Sequence, residues 1–269
     1  MDDYPVKVGS MLFTMVDPHR GHEVAYNRWY ERDHFYAGCM IGPWLFAGGR
    51  WVATRPLKDL RFPVESPFAR PVDAGSFLSI YWVHEGHEQE HFDWAIKQVR
   101  WLYENGRGFN ERTHAHTGLY SLVARHHRDA DGVPLELALH HGYDGLAVVV
   151  VEPSDGVAQD ALVAALSAEA VPVLLEGNGI AMGSTWRVMS RGGQAAEDAP
   201  PPPMSLGTDG GSPHRLVQLL FLEGDPTSSW DRVRTYAERV DAGGAGKVTF
   251  AAPFLATVVG TDTYTDQLW

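Results

Sequence analysis

Cysteine is almost absent: the single thiol, Cys39, cannot close an internal disulfide, which excludes a stapled secreted scaffold and fits a reducing compartment. A lone thiol of this kind is ordinarily a small buried hydrophobe. Clustered basic charge is also missing. Against 34 acidic residues stand 22 Lys and Arg, for a net charge of -12, so the positive footprint that nucleic acids and anionic membranes select is not there. No apolar run approaches the ~20 residues of a membrane span, and the opening MDDYPVKVGSMLF has acids where a secretory signal would have bases. The expectation is a cytoplasmic protein with neither nucleic-acid nor membrane partners. Phosphate loops are lacking too, because Gly48-Gly49, Gly210-Gly211 and Gly243-Gly244 have no strand, GxGxxG and helix around them. The absence of a G-x-S-x-G elbow argues against a covalent hydrolase. What remains is an ordinary globular composition, 44% hydrophobic and 11% aromatic, able to bury a core.

The pattern of elements runs twice along the chain. Val6 to Val16 reads as a strand, His22 to Tyr36 as a helix, and Trp44 to Arg55 as a second strand. A connection through Pro56, Pro63, Pro67 and Pro71 reads as an irregular surface loop. Phe77 to His84 (strand), Glu88 to Asn105 (helix) and His114 to Arg125 (strand) complete a βαββαβ unit. After a polar boundary at His126 to Tyr143 the order returns: Leu146 to Val151, Val157 to Leu175, Ala181 to Ser190, Leu216 to Leu222, Ser229 to Val240 and Val248 to Val259. Between the third and fourth of these lies Gly192 to Pro213, a low-complexity stretch expected to be mobile. The fold class is therefore α+β, two tandem ferredoxin-like repeats at 1–141 and 142–269. A βαββαβ unit keeps both helices on one sheet face, so the opposite apolar face needs a cover. Two copies in one chain can supply it for each other as an intrachain dimeric α/β-barrel. The competing arrangement is two separate domains on a linker.

Chemistry concentrates in the first helix. Tyr26, Trp29, Tyr30, Asp33 and His34 fall at i, i+3, i+4, i+7 and i+8, one stripe of an α-helix that should face the sheet. Titratable Asp33 and His34 on a buried stripe each need a partner. A hydrogen-bonded structural histidine is the plain alternative to a catalytic one.

The words Asp17-Pro18, Gly21-His22-Glu23, Tyr26-Asn27-Arg28-Trp29-Tyr30, His34, Gly42-Pro43 and Arg50-Trp51 resemble the EthD-like branch of the dimeric α/β-barrel superfamily. The turn is inverted relative to the usual Pro-Gly, and Phe35-Tyr36 stands where a proline closely follows the histidine in relatives. The resemblance implies a pocket between helices and sheet in which a histidine and tyrosines move protons without any cofactor. His34 suits a general acid or base, with Asp33 stabilising its cation. Tyr30 can donate to an oxyanion, and Arg50 can hold an enolate or carboxylate, or else pair with Asp33 or Glu31. Tyr26 and Trp29 would wall an apolar ligand. Of Tyr81 and Trp82 only one can line the site, since they point to opposite faces. His114 and His116, two apart on a strand, should share a face, in the pocket or as barrel fillers. The helix Val157 to Glu176 has no His, Tyr or Trp, so one site per chain is expected, with the second half as cover.

His87-Glu88-Gln89-Glu90-His91 fits H-E-x-x-H, whose two imidazoles one turn apart hold zinc in peptidases. Glu90 and the missing third ligand favour a solvated first turn instead. The expected function is a cofactor-independent lyase or isomerase of the cyclase or dehydratase type, on a hydrophobic aromatic or polyketide-like small molecule. The alternatives are a metal-dependent enzyme using His87 and His91, a cofactor-free monooxygenase, or a non-catalytic small-molecule-binding protein. Assembly as a homodimer stays open.

Overall fold

Alternation on the first strand sets the geometry: Met11, Phe13 and Met15 point one way, into a fully buried interior, and Leu12, Thr14 and Val16 the other. The computed structural model describes residues 4–189 and 212–269; nearly all of the low-complexity stretch at Gly192 to Pro213 lies outside them. The first half comprises β1 (Val8–Pro18), α1 (Glu23–Trp29) running on as a wide π-type helix (Tyr30–Met40), β2 (Leu45–Val52), a short α2 (Arg55–Lys58), β3 (Phe77–His84), α3 (Glu88–Glu104) and β4 (Arg112–His127). The second comprises β5 (Gly145–Pro153), α4 (Gln159–Ala165), a wide turn (Leu166–Ala170), α5 (Val171–Leu175), β6 (Ile180–Val188), β7 (Leu216–Leu222), α6 (Trp230–Ala242) and β8 (Gly246–Ala256).

Each half has the strand order fourth, first, third, second, and the eight antiparallel strands close as β1-β3-β2-β8-β5-β7-β6-β4. The halves join edge to edge, by a long β4–β6 seam from Tyr120↔Val188 to His127↔Met182 and a short β2–β8 seam at Trp51↔Ala256 and Val52↔Leu255. Closure leaves no open sheet edge. The halves therefore share one barrel and are not separate units on a linker. Its interior is packed with Met11, Phe13, Ile80, Trp82, Val148, Val150, Trp186, Phe221 and Phe254, and Trp82 stacks on Trp186 with centroids 4.9 Å apart. Helices cover the outside. The apolar run of β5 is explained by burial on both faces: Leu146, Val148 and Val150 enter the barrel, while Ala147, Val149 and Val151 meet the helices.

Two connecting segments go inward, the first of them expected at the surface. The proline-rich connection buries Phe68 and Ala69; Phe68 stacks on His116 at 4.0 Å and lies 5.1 Å from Phe250, so this chain stretch plugs the barrel. Likewise the boundary segment sends Leu135 into the core, where its carbonyl accepts from Trp82 Nε1 at 3.1 Å. His126 and His127, read as the start of the polar boundary, are half-buried and pair with Gly183 and Met182 as the end of β4.

Candidate functional site

The outer face of β1–β4, beneath α1 and α3, gathers most of the residues singled out from sequence. Tyr26, Trp29 and Tyr30 are buried there with Val16, Val52 and Phe77. His34 stacks on Trp29 at 5.2 Å and meets the Tyr30 ring edge-on at 4.9 Å. The Tyr30 and Tyr81 hydroxyls share a buried hydrogen bond of 3.0 Å. Arg50 lies over the Tyr30 ring, its guanidinium carbon 4.5 Å from the centroid. Tyr30 is thus the common neighbour of His34, Tyr81 and Arg50.

The wide helix changes which residues share a face. From Tyr30 onward each turn takes up extra backbone, a geometry frequent at functional sites, and His34 Nε2 comes within 4.0 Å of Cys39 Sγ, five residues on. An α-helix of constant pitch would have put Asp33 beside His34 on the inner stripe. Instead the Asp33 carboxylate, itself buried, is held by Arg32 Nε at 2.8 Å and Arg107 Nε at 2.7 Å. Those bonds outweigh its burial and keep its pKa below the usual carboxylate value. Asp33 is therefore not the partner of His34.

Of the other candidates, Trp82 drops out of the site and the shared face of His114 and His116 is corrected. Trp82 belongs to the barrel interior, and only Tyr81 faces the helices. His114 and His116 do not share a face, because the β1–β4 register slips between Met15↔His116 and Val16↔His114; such a bulge reverses the alternation. His114 stays on the outer face, with Nδ1 2.7 Å from Thr117 Oγ1. His116 turns into the barrel and bonds Tyr120 Oη at 2.6 Å.

Electrostatically the cluster holds neutral groups beside two buried guanidiniums, Arg50 and Arg112. Desolvation, followed by the positive charges of Arg112, His114 and Arg50, lowers the His34 pKa to about 3, and His114 falls to about 4 by burial and Arg112. Burial raises Tyr30 to about 12, even though Ser79, Tyr81 and Arg50 pull the other way. Cys39 is likewise pushed up to about 12, an inert thiol. Arg50, with its side chain only 3% exposed, donates from Nη1 to Asn27 Oδ1 at 3.0 Å and Glu31 Oε1 at 3.1 Å. Its Nε and Nη2 have no hydrogen-bond partner among the described residues. Buried donors without partners are expensive and point to a missing acceptor.

A depression of about 360 Å³ opens beside the cluster on the solvent side of α1, lined by Trp29, Arg32, Asp33 and the loop from Gly106 to Phe109. Phe109 stacks on Trp29 at 5.3 Å, so Trp29 stands between the depression and His34. The H-E-x-x-H residues form no comparable site. His87 stacks flat on Trp44 at 3.6 Å, His91 is buried under α3, and among the described residues no group of three or more His, Cys, Asp or Glu could hold a metal. Sequence reasoning passed over Asn27 and Arg112, whereas Glu31 is one of the two ion-pair partners it offered for Arg50. The Asn-Arg-Trp-Tyr word contained Asn27, but nothing local signalled that it would clamp an arginine from the next strand.

No protein-family model matches the chain, and neither does any curated protein. Solved structures do. An anthrone oxidase-like protein superposes with a TM-score of 0.54 at 12% identity, covering 95% of each chain. A putative chlorite dismutase gives 0.53 at 11% identity, over 98% of this chain and 100% of the other. At such identities the likeness is one of fold, the dimeric α/β-barrel.

Proposed function

We propose that this chain is a cofactor-independent lyase or isomerase of the cyclase or dehydratase type, acting on a hydrophobic aromatic or polyketide-like small molecule at the His34–Tyr30–Arg50 cluster. The observation that carries the reading is the buried Arg50, whose Nε and Nη2 have no partner among the described residues, one aromatic ring away from a neutral imidazole. In the reaction, His34 takes a proton from the carbon beside a substrate carbonyl. The electron pair moves onto the carbonyl oxygen, which Arg50 Nε and Nη2 hold as an enolate. The proton then returns at another carbon in an isomerase, or leaves with a β-hydroxyl as water in a dehydratase. A pKa of about 3 makes free His34 a weak base. An anionic oxygen on Arg50 would offset one of the charges that depress it, coupling proton transfer to occupancy of the arginine. Tyr26, Trp29, Tyr81 and His114 would line the site. Residues 1–141 would carry the chemistry and 142–269 the closure of the barrel, in a tandem form of the EthD-like branch.

A second reading follows from the anthrone oxidase-like relative: the same enolate or phenolate would react with dioxygen, and the enzyme would be a cofactor-free monooxygenase. One assay separates the two. Wild type, His34→Ala and Tyr30→Phe are incubated with 1-tetralone in D2O, and with anthrone in an oxygen electrode. Deuterium entering 1-tetralone beside the carbonyl, without oxygen uptake on anthrone, supports the first reading; oxygen uptake supports the second. His34→Ala should slow either signal by about 10²-fold or more, the usual contribution of a positioned acid-base group. Unchanged rates in both variants would remove the proposal.

A further inference from the structure

Beyond β8 the chain does not stay with the second half. Residues 257–269 cross onto the first half and run along α1 as a strap. Its first residue meets Arg50 itself: the Thr257 N–H and hydroxyl both donate to the Arg50 carbonyl, at 3.1 Å and 3.2 Å. Three residues on, the Gly260 N–H donates to Glu31 Oε2 at 3.0 Å, while Glu31 Oε1 takes Arg50 Nη1. The Thr261 carbonyl accepts from Asn27 Nδ2 at 2.8 Å, while Asn27 Oδ1 takes the same Nη1. Each acceptor of the buried guanidinium is thus oriented through its other polar atom by the strap. Farther along, Asp262 pairs with Arg28, Leu268 is fully buried among Tyr26, Trp29, Tyr30, Val52 and Phe77, and its carbonyl accepts from Lys58 Nζ at 3.0 Å.

We infer that Gly260 and Thr261 are positioning residues for Arg50, so that the second half completes the oxygen-holding site of the first. The physical reason is the orientation of an amide and a carboxylate. Asn27 and Glu31 lie one helical turn apart on α1 and its wide extension, and each could rotate away from Arg50 if its second hydrogen bond were lost. A guanidinium held by only loosely fixed acceptors would not keep Nε and Nη2 aimed at a single acceptor position, and small misplacements are felt strongly at reacting centres. This division differs from a cover. The inference rests on the reading of Arg50 as the holder of the substrate oxygen, and its test has one readout that does not depend on that reading.

The test follows the Arg50 Nε–H resonance in ¹⁵N-labelled full-length protein, assigned by its loss in Arg50→Lys, and binding of 2-naphthoate by fluorescence titration. The strap is released in the double variant D262A/L268A. The expected result is a shifted or broadened Arg50 resonance together with a loss of 2-naphthoate affinity of about ten-fold or more, the size of one charge-assisted hydrogen bond. An unchanged resonance and affinity in the folded double variant would overturn the inference. Should that variant not fold, wild type in rising sub-denaturing urea decides: the Gly260 amide and Arg50 Nε–H must lose protection together, and opening at Gly260 with Arg50 still protected overturns it. If Arg50 follows the strap but 2-naphthoate does not bind wild type, the positioning stands and the functional reading falls. If Arg50→Lys abolishes binding while strap release does not, the reverse holds.

Discussion

The two helical layers on this barrel are laid over sheets of identical strand order, yet their contents differ. Over β5–β8 the contacts are apolar: Ala147, Val149 and Val151 against Leu162, Leu166, Val171, Leu174, Val233 and Val240. Tyr236 and Gln218 are paired there, Tyr236 Oη donating to Gln218 Oε1 at 2.6 Å and Gln218 Nε2 to Thr185 Oγ1 at 3.2 Å, while the neutral Thr249 hydroxyl has no partner among the described residues. Over β1–β4 the same position in the fold holds Arg50, His34, His91, Tyr30, Tyr81 and Ser10, and several of their polar atoms have no partner among the described residues. Structural demands were met without such groups in one half, so their presence in the other is better explained by chemistry than by folding.

The largest effect should come from forcing the first layer's chemistry onto the second. Val233→Asp places a carboxylate among apolar side chains with nothing to pair it, and should destabilise the protein by more than about 4 kcal/mol in urea denaturation. A loss of less than about 1 kcal/mol would mean that the second layer is not sealed.

The reverse exchange should separate stability from function. Arg50→Met removes a buried cation whose Nε and Nη2 lack partners among the described residues and keeps much of its volume, so stability should change by only about 1 kcal/mol in either direction. Deuterium incorporation into 1-tetralone should fall by about 10²-fold or more. A variant equally impaired in both would make Arg50 a structural ion-pair residue tied to Glu31.

Acid should open the first layer before the second. The ordinary histidine value is 6.5, and His34 in the fold is lowered to about 3 by burial and by neighbouring cations. Between these values the unfolded chain holds a proton that the fold refuses, so stability is lost progressively as pH falls through that window. His114 and His91, both lowered to about 4, act in the same direction. Against the helical layer of β5–β8 one such histidine packs, the half-buried His126 beside Ser167, also lowered by burial, where the first layer has three. Hydrogen exchange read by mass spectrometry on acidification should therefore show α1 and α3 opening ahead of α4 and α6, and His34→Phe should move that opening to lower pH.

Legibility from sequence followed periodicity. Strands β3 and β7 were readable to the residue, because alternation and apolar runs are local signals, and the twofold order of elements gave the barrel. The site was half-readable: Tyr26, Trp29, Tyr30, His34, Arg50, Tyr81 and His114 do meet on one layer. The misplacements of Asp33 and His116 have one cause in common. A wide helical turn and a β-bulge each insert backbone without a composition signal, and every facing inferred beyond them rotates. Of the strap only residues 257–259 were read, as the end of the strand Val248 to Val259, since its partners are more than 200 residues away in sequence.

The smallest difference between the layers is carried by two tyrosines. Tyr30 and Tyr236 both bury a hydroxyl in a side-chain hydrogen bond, at 3.0 Å to Tyr81 and 2.6 Å to Gln218. Removal of the Tyr236 hydroxyl strands Gln218 Oε1 in an apolar layer, and Tyr236→Phe should cost about 1–3 kcal/mol, the penalty of an unsatisfied buried acceptor. Tyr30→Phe leaves Tyr81 with a second partner in Cys39, so its cost should be near the net value of one neutral hydrogen bond, about 1 kcal/mol or less. Parallel urea curves on the two variants measure the difference directly. A larger penalty at Tyr30 than at Tyr236 would mean that the hydroxyl pair of the first layer is there to hold the fold, and would take away the main reason for assigning it to the substrate.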